Sequence, residues 1–345
     1  MRLTRRDFAR TTLAVAAGLV TTGLGSPGAF AAPRPLRRAI APQTWMAALP
    51  DTTSLLRLTI PGTHDSCAMS AANGTEWSHT QNWSLPAQFA HGIRFLDIRC
   101  NGLQDHMSDS FGVYHAAAYQ GITFDGVLDQ CRDFLARNPD EVLIMRLKKE
   151  DGTRNDVGAN FAAIFDGYLD AKGYRPLFWI GDRFPALGEA RGRIVLITQF
   201  ANQLPALRWP GGDNGVFSND RIYLQDRYKG RGLMGLDSGS GSGSADSGST
   251  DSGSATGSSG GDKFSYVRDC LDKAAADPDN ALMYINFTSY ADNAWPRDNA
   301  AAILPEVANY LTEHRAQRAH YGIVPMDFPD LHTDALDLLL DNNFG

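Results

Sequence analysis

Short apolar runs alternate with helical patterns along most of the chain. The runs are rich in Ile, Val and Leu and several end in charge, which is typical of buried parallel strands. We predict eight strands, at 58–60, 92–99, 113–115, 141–147, 193–199, 222–225, 282–287 and 322–326. Apolar residues at helical spacing predict helices at 85–91, 124–137, 161–171, 264–276, 301–315 and 334–340.

This alternation predicts an α/β fold. Apolar strands joined by helices form parallel sheets covered by helices, and eight of them over roughly 300 residues indicate a closed or nearly closed barrel. We therefore predict a TIM-type (β/α)8 barrel, distorted or partly open, as a single domain over residues 44–345. A Ser/Gly-rich stretch at 238–261 lacks the apolar residues that folding requires, and we expect it to be a disordered insertion within this domain.

The first 31 residues have the pattern of an export signal. A twin arginine at 5–6 precedes a moderately apolar region at 11–24, and a small-x-small cleavage site closes the segment. The apolar region is too short and too rich in Gly and Thr to span a bilayer comfortably. We expect residues 1–31 to be a twin-arginine signal peptide, residues 32–43 to be a flexible lead-in, and the mature protein to be secreted.

The net charge and the cysteine pattern limit the kinds of ligand, metal site and disulfide that we expect. A formal net charge of -7 and a pI near 5.6 leave no basic footprint, so we predict neither nucleic-acid binding nor strong attraction to anionic lipid. The four cysteines (Cys67, Cys100, Cys131 and Cys270) contain no C-x-x-C arrangement, so a zinc site is poorly supported. Export permits two disulfides, whereas folding before export favours free buried thiols, and both alternatives stay open.

Ionisable side chains fall at the carboxyl ends of the predicted strands. They are His64, Asp65, Arg99, His115, Lys148, Asp226 and Asp327. In a parallel barrel these ends form one face, which is where active sites of this architecture are built. Two histidines, several carboxylates and an arginine suit phosphoryl transfer by acid-base catalysis, with the guanidinium neutralising phosphate charge. The alternative is that these charges only cap strands.

A series of motifs resembles those of secreted bacterial phosphatidylinositol-specific phospholipases C. They are I-P-G-T-H-D-S at 60–66, H-G-I-R-F-L-D-I-R at 91–99, Y-H at 114–115, N-P-D-E-V-L-I-M-R-L-K-K-E at 138–150, A-R-G-R-I-V-L at 190–196, Q-D-R-Y at 225–228, Y-I-N-F-T-S at 284–289 and V-P-M-D at 324–327. The resemblance implies a monomeric lyase that cleaves phosphatidylinositol in membranes to diacylglycerol and a 1,2-cyclic inositol phosphate, without a metal or other cofactor.

The resemblance also implies roles for single residues. His64, oriented by Asp327, would take the proton from the inositol 2-hydroxyl. His115, coupled to Asp65, would protonate the diacylglycerol oxygen. Arg99 would contact the phosphate, in the place where eukaryotic-type relatives hold calcium, and an arginine there implies metal independence.

Further residues are implied around this centre. Asp97 would support it, and Lys148, Asp226 and Tyr228 would bind inositol, with the Tyr228 ring under the sugar face. The chain departs from the family pattern at Gln199, where an arginine is common. Glutamine carries no charge and donates fewer hydrogen bonds, so the head-group specificity stays open.

Two tryptophans are candidates for contact with the membrane. Trp77 and Trp295 lie in polar loops where the family exposes tryptophans for interfacial insertion, although each could be an ordinary half-buried core residue.

Two alternative functions stay open. The first is a phosphodiesterase for soluble glycerophosphodiesters, which would use a carboxylate metal cluster; the arginine at position 99 argues against it. A catalytically silent phosphoinositide-binding module would need neither His64 nor His115.

Overall fold

The fold is built on one mixed sheet. The structure, a computed structural model, describes residues 40–103, 106–212, 214–229, 259–277, 279, 281–291 and 294–344. Its strands are β1 (Thr59–Thr63), β2 (Phe95–Leu103), β3 (His106–His115), β4 (Ala118–Thr123), β5 (Leu143–Lys149), β6 (Phe178–Trp179), β7 (Ile194–Gln199), β8 (Leu207–Arg208), β9 (Gly215–Ser218), β10 (Ile222–Asp226), β11 (Met283–Asn286) and β12 (Gly322–Met326). Its α-helices are α1 (Leu85–Ala90), α2 (Phe124–Arg137), α3 (Phe161–Leu169), α4 (Leu187–Ala190), α5 (Ser259–Ala275), α6 (Pro296–His314) and α7 (Thr333–Asp341).

The strand order confirms the predicted partly open barrel. Eight strands are parallel neighbours in the order β6-β7-β5-β2-β1-β12-β11-β10, and β9 then pairs antiparallel with β10. In the part of the chain that the structure describes, β6 and β9 end this order and do not pair with each other. The parallel strands present their carboxyl ends on one side, where the site is assembled.

One predicted barrel strand is wrong. Residues 113–115 belong to β3, which pairs antiparallel with the second half of β2 and with β4. The eighth parallel strand is instead β6, only two residues long at Phe178–Trp179. So short a strand leaves no hydrophobic period in the sequence, whereas the hairpin strand ends in a polar residue like the true barrel strands.

β1 continues through Pro61 and Gly62, where the sequence predicted its end. β1 pairs with β12 over its whole length but with β2 only from Gly62 onward. The Pro61 carbonyl still accepts from the Arg94 amide at 2.9 Å, and the donor that proline lacks is not needed where β2 has yet to begin. At Gly62 a Cβ atom would lie 2.8 Å from Cδ1 of Phe95, so glycine permits the close approach of β2.

Helix α2 is confirmed at both ends. The Thr123 side chain accepts from the Gly126 amide, and Asp125 lies in the first turn, where the helix dipole favours a carboxylate. Its apolar residues are buried: Phe124, Val127, Leu128, Cys131, Phe134 and Leu135. Helix α6 begins at Pro296, five residues before the predicted start, because proline is well suited to the first turn of a helix.

The domain boundaries are described in part. Residues from Ile40 onward form one compact unit, in agreement with a single domain. The predicted signal peptide at 1–31 lies outside the described residues, as does the lead-in at 32–43 except for its last four. Of the predicted insertion at 238–261, residues up to 258 are outside the description, and the last three already belong to α5, which begins at Ser259.

All four cysteines are buried free thiols. The alternative of free thiols is therefore the one that the structure supports. Burial raises the pKa of the Cys270 thiol to about 12, so this group stays protonated at neutral pH. Such cysteines pack as small apolar side chains.

A buried ion pair joins the amino ends of β2 and β5. Arg94 and Glu141 are fully buried, with 2.7 Å between Nη2 and Oε2. Arg94 also donates to the carbonyl of Gln43 at 2.6 Å, and Glu141 accepts from the amide of Ala47 at 2.9 Å. The pair thus ties residues of the short 3-10 helix Pro42–Thr44 and its successor to the barrel.

Breaking this pair will destabilise the domain strongly. Glu141→Gln leaves the Arg94 charge buried without its partner, and we expect the free energy of unfolding to fall by about 3–5 kcal/mol in chemical denaturation. The control is Asp341→Asn, which removes an exposed ion pair with Arg315, and should cost less than about 1 kcal/mol. Equal effects of the two substitutions would show that the buried pair does not hold this end of the barrel.

Candidate active site

Sharp turns place the predicted site residues at the carboxyl ends of the strands. Asp65, Ala116 and Phe328 all have positive φ, at 41°, 49° and 43°. Each is a predicted site residue or directly follows one. Left-handed backbone in non-glycine residues costs free energy and is concentrated at functional sites. The turns let His64 and Asp65, which are neighbours in sequence, contact different partners.

His64 is paired with a carboxylate from a distant part of the chain. Its Nδ1 lies 2.8 Å from Oδ1 of Asp327, which directly follows β12. Burial by itself would lower the pKa of His64, but the Asp327 carboxylate raises it above its ordinary value. Burial also raises the pKa of Asp327, although the imidazole offsets part of this effect. The predicted contact between the two side chains is therefore present.

Asp65 contacts both histidines and the arginine. Its Oδ2 lies 3.2 Å from Nδ1 of His115 and 3.5 Å from Nε2 of His64, and its Oδ1 lies 3.0 Å from Nε of Arg99. The two imidazole rings are nearly perpendicular, with centroids 6.2 Å apart. Burial lowers the pKa of His115, and the nearby Arg99 and His64 lower it further against the opposing effect of Asp65.

His115 reaches the site by a route that the sequence did not predict. It ends hairpin strand β3 rather than a strand of the barrel, and it pairs in register with Ala118 of β4. The turn is fixed by the amide of Ala116, which donates to Oε1 of Glu150 at 2.9 Å. The hairpin therefore brings His115 to the carboxyl ends of the strands from outside the parallel sheet.

The carboxylate of Asp97 binds the guanidinium groups of Arg99 and Arg146. Its Oδ2 accepts from Nη2 of Arg99 at 2.9 Å and from the Asp65 amide at 3.2 Å, and its Oδ1 accepts from Nη1 of Arg146 at 3.0 Å. Burial by itself would raise the pKa of Asp97, but Arg146 and Arg99 hold it well below its usual range. Burial opposes the charge of Arg99, yet Asp65 and Asp97 raise its pKa well above its ordinary value.

These groups line a cavity of about 330 Å³. The predicted site residues in its wall are His64, Trp77, Arg99, His115, Lys148, Asp226, Tyr228 and Asp327. Asp65 and Asp97 lie behind this wall, both nearly inaccessible. The volume lies at the small end of the range for ligand pockets, and the many polar groups suit a compact ligand rich in hydroxyl groups. In the described part of the chain, no three His, Cys, Asp or Glu side chains are grouped as a metal site.

Gln199 lies beside this cavity rather than in its wall. It lines an adjoining cavity of about 440 Å³, which shares Lys148 with the first. Its side-chain oxygen accepts from Nε of Arg146 at 2.9 Å. A guanidinium is thus present next to position 199, supplied by the neighbouring strand β5.

Arg146 and Glu150 belong to the site but were missed by the sequence prediction. Both line the cavity, and Glu150 forms an ion pair with Lys148 at 2.8 Å. Arg146 carried a signal, because a charged residue inside an otherwise apolar run must find a partner in the core. Glu150 carried none, since a carboxylate after two lysines also fits a solvated strand end.

The two predicted interfacial tryptophans are exposed and contact each other. Trp77 and Trp295 are 43% and 44% exposed, and their ring centroids are 4.8 Å apart. Trp77 lines the cavity, and Trp295 precedes α6, whose first residue Pro296 also lines it. Neither is a core residue. No helix in the described ranges has the length and apolar character to span a bilayer.

Comparisons with known proteins agree with the motifs. Residues 58–200 match the phosphatidylinositol-specific phospholipase C X domain. The chain is 27% identical over 319 residues to the 1-phosphatidylinositol phosphodiesterase of Listeria monocytogenes, covering 90% of this chain and 89% of that protein. It is also 27% identical over 307 residues to the protein of the same name from Staphylococcus aureus strain Newman, covering 82% of this chain and 88% of that one.

Solved structures share the fold. The phosphatidylinositol-specific phospholipase C of L. monocytogenes superposes with a TM-score of 0.68 at 24% identity, covering 89% of this chain and all of that one. A structure of the S. aureus enzyme gives 0.72 at 24% identity, covering 88% and 98%. The resemblance predicted from the motifs is therefore confirmed: residues 58–200 match the X domain of phosphatidylinositol-specific phospholipase C, and the fold is the distorted barrel of the bacterial structures.

Proposed function

We propose that this protein is a secreted phospholipase C that cleaves phosphatidylinositol to diacylglycerol and 1,2-cyclic inositol phosphate without a metal. The observation that carries the proposal is the grouping of His64, His115 and Arg99 around Asp65 in one cavity. Two imidazoles facing one guanidinium supply a base, an acid and a phosphate ligand. The X-domain match and the names of the relatives support the same activity.

The reaction is an internal displacement at phosphorus. His64 takes the proton from the inositol 2-hydroxyl, whose oxygen forms the new bond to phosphorus. The bond to the diacylglycerol oxygen breaks, and His115 gives that oxygen its proton. Asp327 orients His64, because it bonds the ring nitrogen opposite the one that would face substrate. Asp65 supports protonated His115 and Arg99 together.

The pKa directions describe the protonation state of the free site. The pKa of His64 is raised and that of His115 is lowered, so the free site holds its proton on His64. The reaction needs the opposite arrangement, with His64 neutral and His115 charged. A phosphodiester anion beside Arg99 favours the charged form of His115 and shifts the proton in the required direction. The two histidines titrate as a coupled pair, and kcat/KM follows a bell-shaped pH profile.

Metal independence rests on how the two carboxylates are used. Asp65 and Asp97 both bind the guanidinium of Arg99, at 3.0 and 2.9 Å. Arg99 is therefore a fixed cation at the position where a phosphate oxygen would gain charge, and it also offers planar donors that suit phosphate.

Other polar residues of the cavity wall bind the inositol ring. They are Lys148, Asp226, Tyr228 and Glu150. Charged donors and acceptors bind adjacent hydroxyl groups, and the Tyr228 ring covers the apolar face of the sugar. Gln199 carries no charge, but Arg146 of β5 places a guanidinium beside it.

The enzyme is exported and acts at a membrane surface. The twin arginine and the apolar region of residues 1–31 support export by the twin-arginine route. Trp77 and Trp295 form an exposed aromatic pair at the rim of the cavity. Indole rings favour the boundary between water and lipid, so the pair docks the cavity onto the bilayer that holds the substrate.

Replacing either histidine will abolish most of the activity. His64→Ala and His115→Ala should each lower kcat about 10²- to 10⁴-fold on phosphatidylinositol vesicles, because each removes a proton-transfer group. His91→Ala is the control, since His91 is exposed and stacks on Trp83 away from the cavity. The assay follows diacylglycerol release in excess chelator. Loss of wild-type activity in chelator would contradict metal independence, and full activity of both variants would contradict the assigned roles.

Removing the aromatic pair will weaken membrane binding. Trp77→Ala and Trp295→Ala should each reduce partitioning onto phosphatidylinositol-containing vesicles several-fold, because each substitution removes an indole ring that inserts at the interface. Ile40→Ala is the control, as Ile40 is also exposed but lies next to the segment held by Arg94 at the amino ends of the strands. Sedimentation with vesicles measures the effect. Partitioning equal to that of the control would remove the tryptophans from the membrane contact.

A further inference from the structure

Arg146 is a buried cation in the middle of the active site that the motifs did not assign. It lies on β5 in the apolar run that leads to Lys148, and its side chain is 3% exposed. Its guanidinium spans two neighbouring strands, bonding Asp97 on β2 and Gln199 on β7. One face of the guanidinium stacks on the Trp209 ring, 4.0 Å from the centroid. Contacts on three sides fix its position.

The bond to Asp97 is the one that matters for the reaction. The two oxygens of Asp97 divide their partners: Oδ2 accepts from Arg99 and from the Asp65 amide, and Oδ1 accepts from Arg146. Without Arg146, one oxygen of a fully buried carboxylate loses the only donor described for it. The carboxylate could then rotate or take up a proton, and Arg99 would lose its fixed support.

We propose that Arg146 is a positioning residue for phosphate binding: it fixes Asp97 in its ionised form and orientation, and Asp97 in turn holds Arg99. The proposal rests on the function proposed above. It assigns to Arg146 no direct contact with the reacting atoms. Charges alternate along the resulting chain of contacts, from Arg146 through Asp97 and Arg99 to Asp65 and His115. Such a chain is stable when buried because Asp97 lies between two guanidinium groups and Asp65 lies between Arg99 and the two histidines.

The charges around Asp97 determine its ionisation. Arg146 faces it from β5, Arg99 from its own strand, and His64 and Cys67 from the segment after β1. The charge of Arg146 is the largest single effect that lowers the pKa of Asp97. Protonated Asp97 would carry no charge, so its Oδ2 would bind the Arg99 guanidinium only through weaker, neutral hydrogen bonds. Loss of Arg146 therefore raises the pKa of Asp97, and activity disappears as the pH falls through the raised value.

The test compares two substitutions with a matched control. Arg146→Met removes the charge and the donors but keeps an apolar chain against Trp209. Arg146→Lys keeps the charge but cannot bond Asp97 and Gln199 together. Arg183→Met is the control, because Arg183 also pairs with a carboxylate, Glu189, and lies over a tryptophan ring, but does not line the cavity. The measurement is kcat/KM on short-chain phosphatidylinositol as a function of pH.

We expect Arg146→Met to lower kcat/KM about 10²-fold at neutral pH, since small displacements of catalytic groups cost about that factor. The acid limb of the pH profile of kcat/KM should move to higher pH in this variant. Arg146→Lys should lose about tenfold with the acid limb in place, and Arg183→Met should remain within twofold. Arg146→Lys with the wild-type rate, or a folded Arg146→Met whose loss is the same at every pH, would overturn the proposal. If Arg146→Met does not fold, Arg146→Lys alone decides.

A second readout separates this inference from the proposed function. Carbon NMR of labelled aspartate carboxyl groups follows the titration of Asp97 without substrate. The carboxyl group should titrate at higher pH in Arg146→Met than in the wild type, and an unchanged titration would overturn the inference. A wild-type protein that leaves phosphatidylinositol intact would overturn the proposed function, and the carboxyl titration would still decide the role of Arg146.

Discussion

The guanidinium of Arg99 lies between two buried carboxylates, and the geometry of the site depends on this contact. Asp65 follows β1, whereas Asp97 and Arg99 both lie in β2, so Arg99 joins β2 to the segment that follows β1. A buried charge without a partner would cost several kcal/mol, and this penalty keeps the three groups together. The same contacts set the left-handed turn at Asp65 and hence the direction of His64.

The environment divides the two histidines into different roles. His64 bonds a carboxylate on its far side, whereas His115 shares Asp65 with an arginine. Their pKa values therefore move in opposite directions from the same ordinary value. Such divergence is typical of a site in which one group accepts a proton and another donates it. In the proposed mechanism the phosphate of the substrate completes the arrangement, which would link substrate binding to activation of the acid.

The sequence predicted most of the architecture because periodicity and strand ends are local signals. Helix 124–137 has a capping threonine, six buried positions at helical spacing and a following Asn-Pro, so both ends were readable. Two features had no local signal. β6 is two residues long, and the hairpin that delivers His115 resembles a barrel strand in its last residues. Pro61 also misled, because the cost of proline in a strand depends on where the neighbouring strand begins.

The candidate site shows the same division. His64, Asp65, Arg99, His115 and Asp327 were found because polar residues follow apolar strands and match the motifs, and the structure brings them together. The partners of each side chain could not be read from the order of the strands. Asp65 contacts both histidines, and Arg146 supplies a guanidinium beside Gln199. The contact between Arg146 and Gln199 depends on the register between β5 and β7, which is a property of the folded sheet.

The most direct test of the proposed mechanism is the order in which the phosphorus-containing products appear. Phosphorus NMR of phosphatidylinositol vesicles with the wild-type protein in excess chelator reports each species over time. We predict that 1,2-cyclic inositol phosphate forms first, because the inositol 2-hydroxyl is the nucleophile, and that any inositol monophosphate follows later. Monophosphate from the first time point without the cyclic species would show that water attacks directly, and would contradict the roles assigned to His64 and His115.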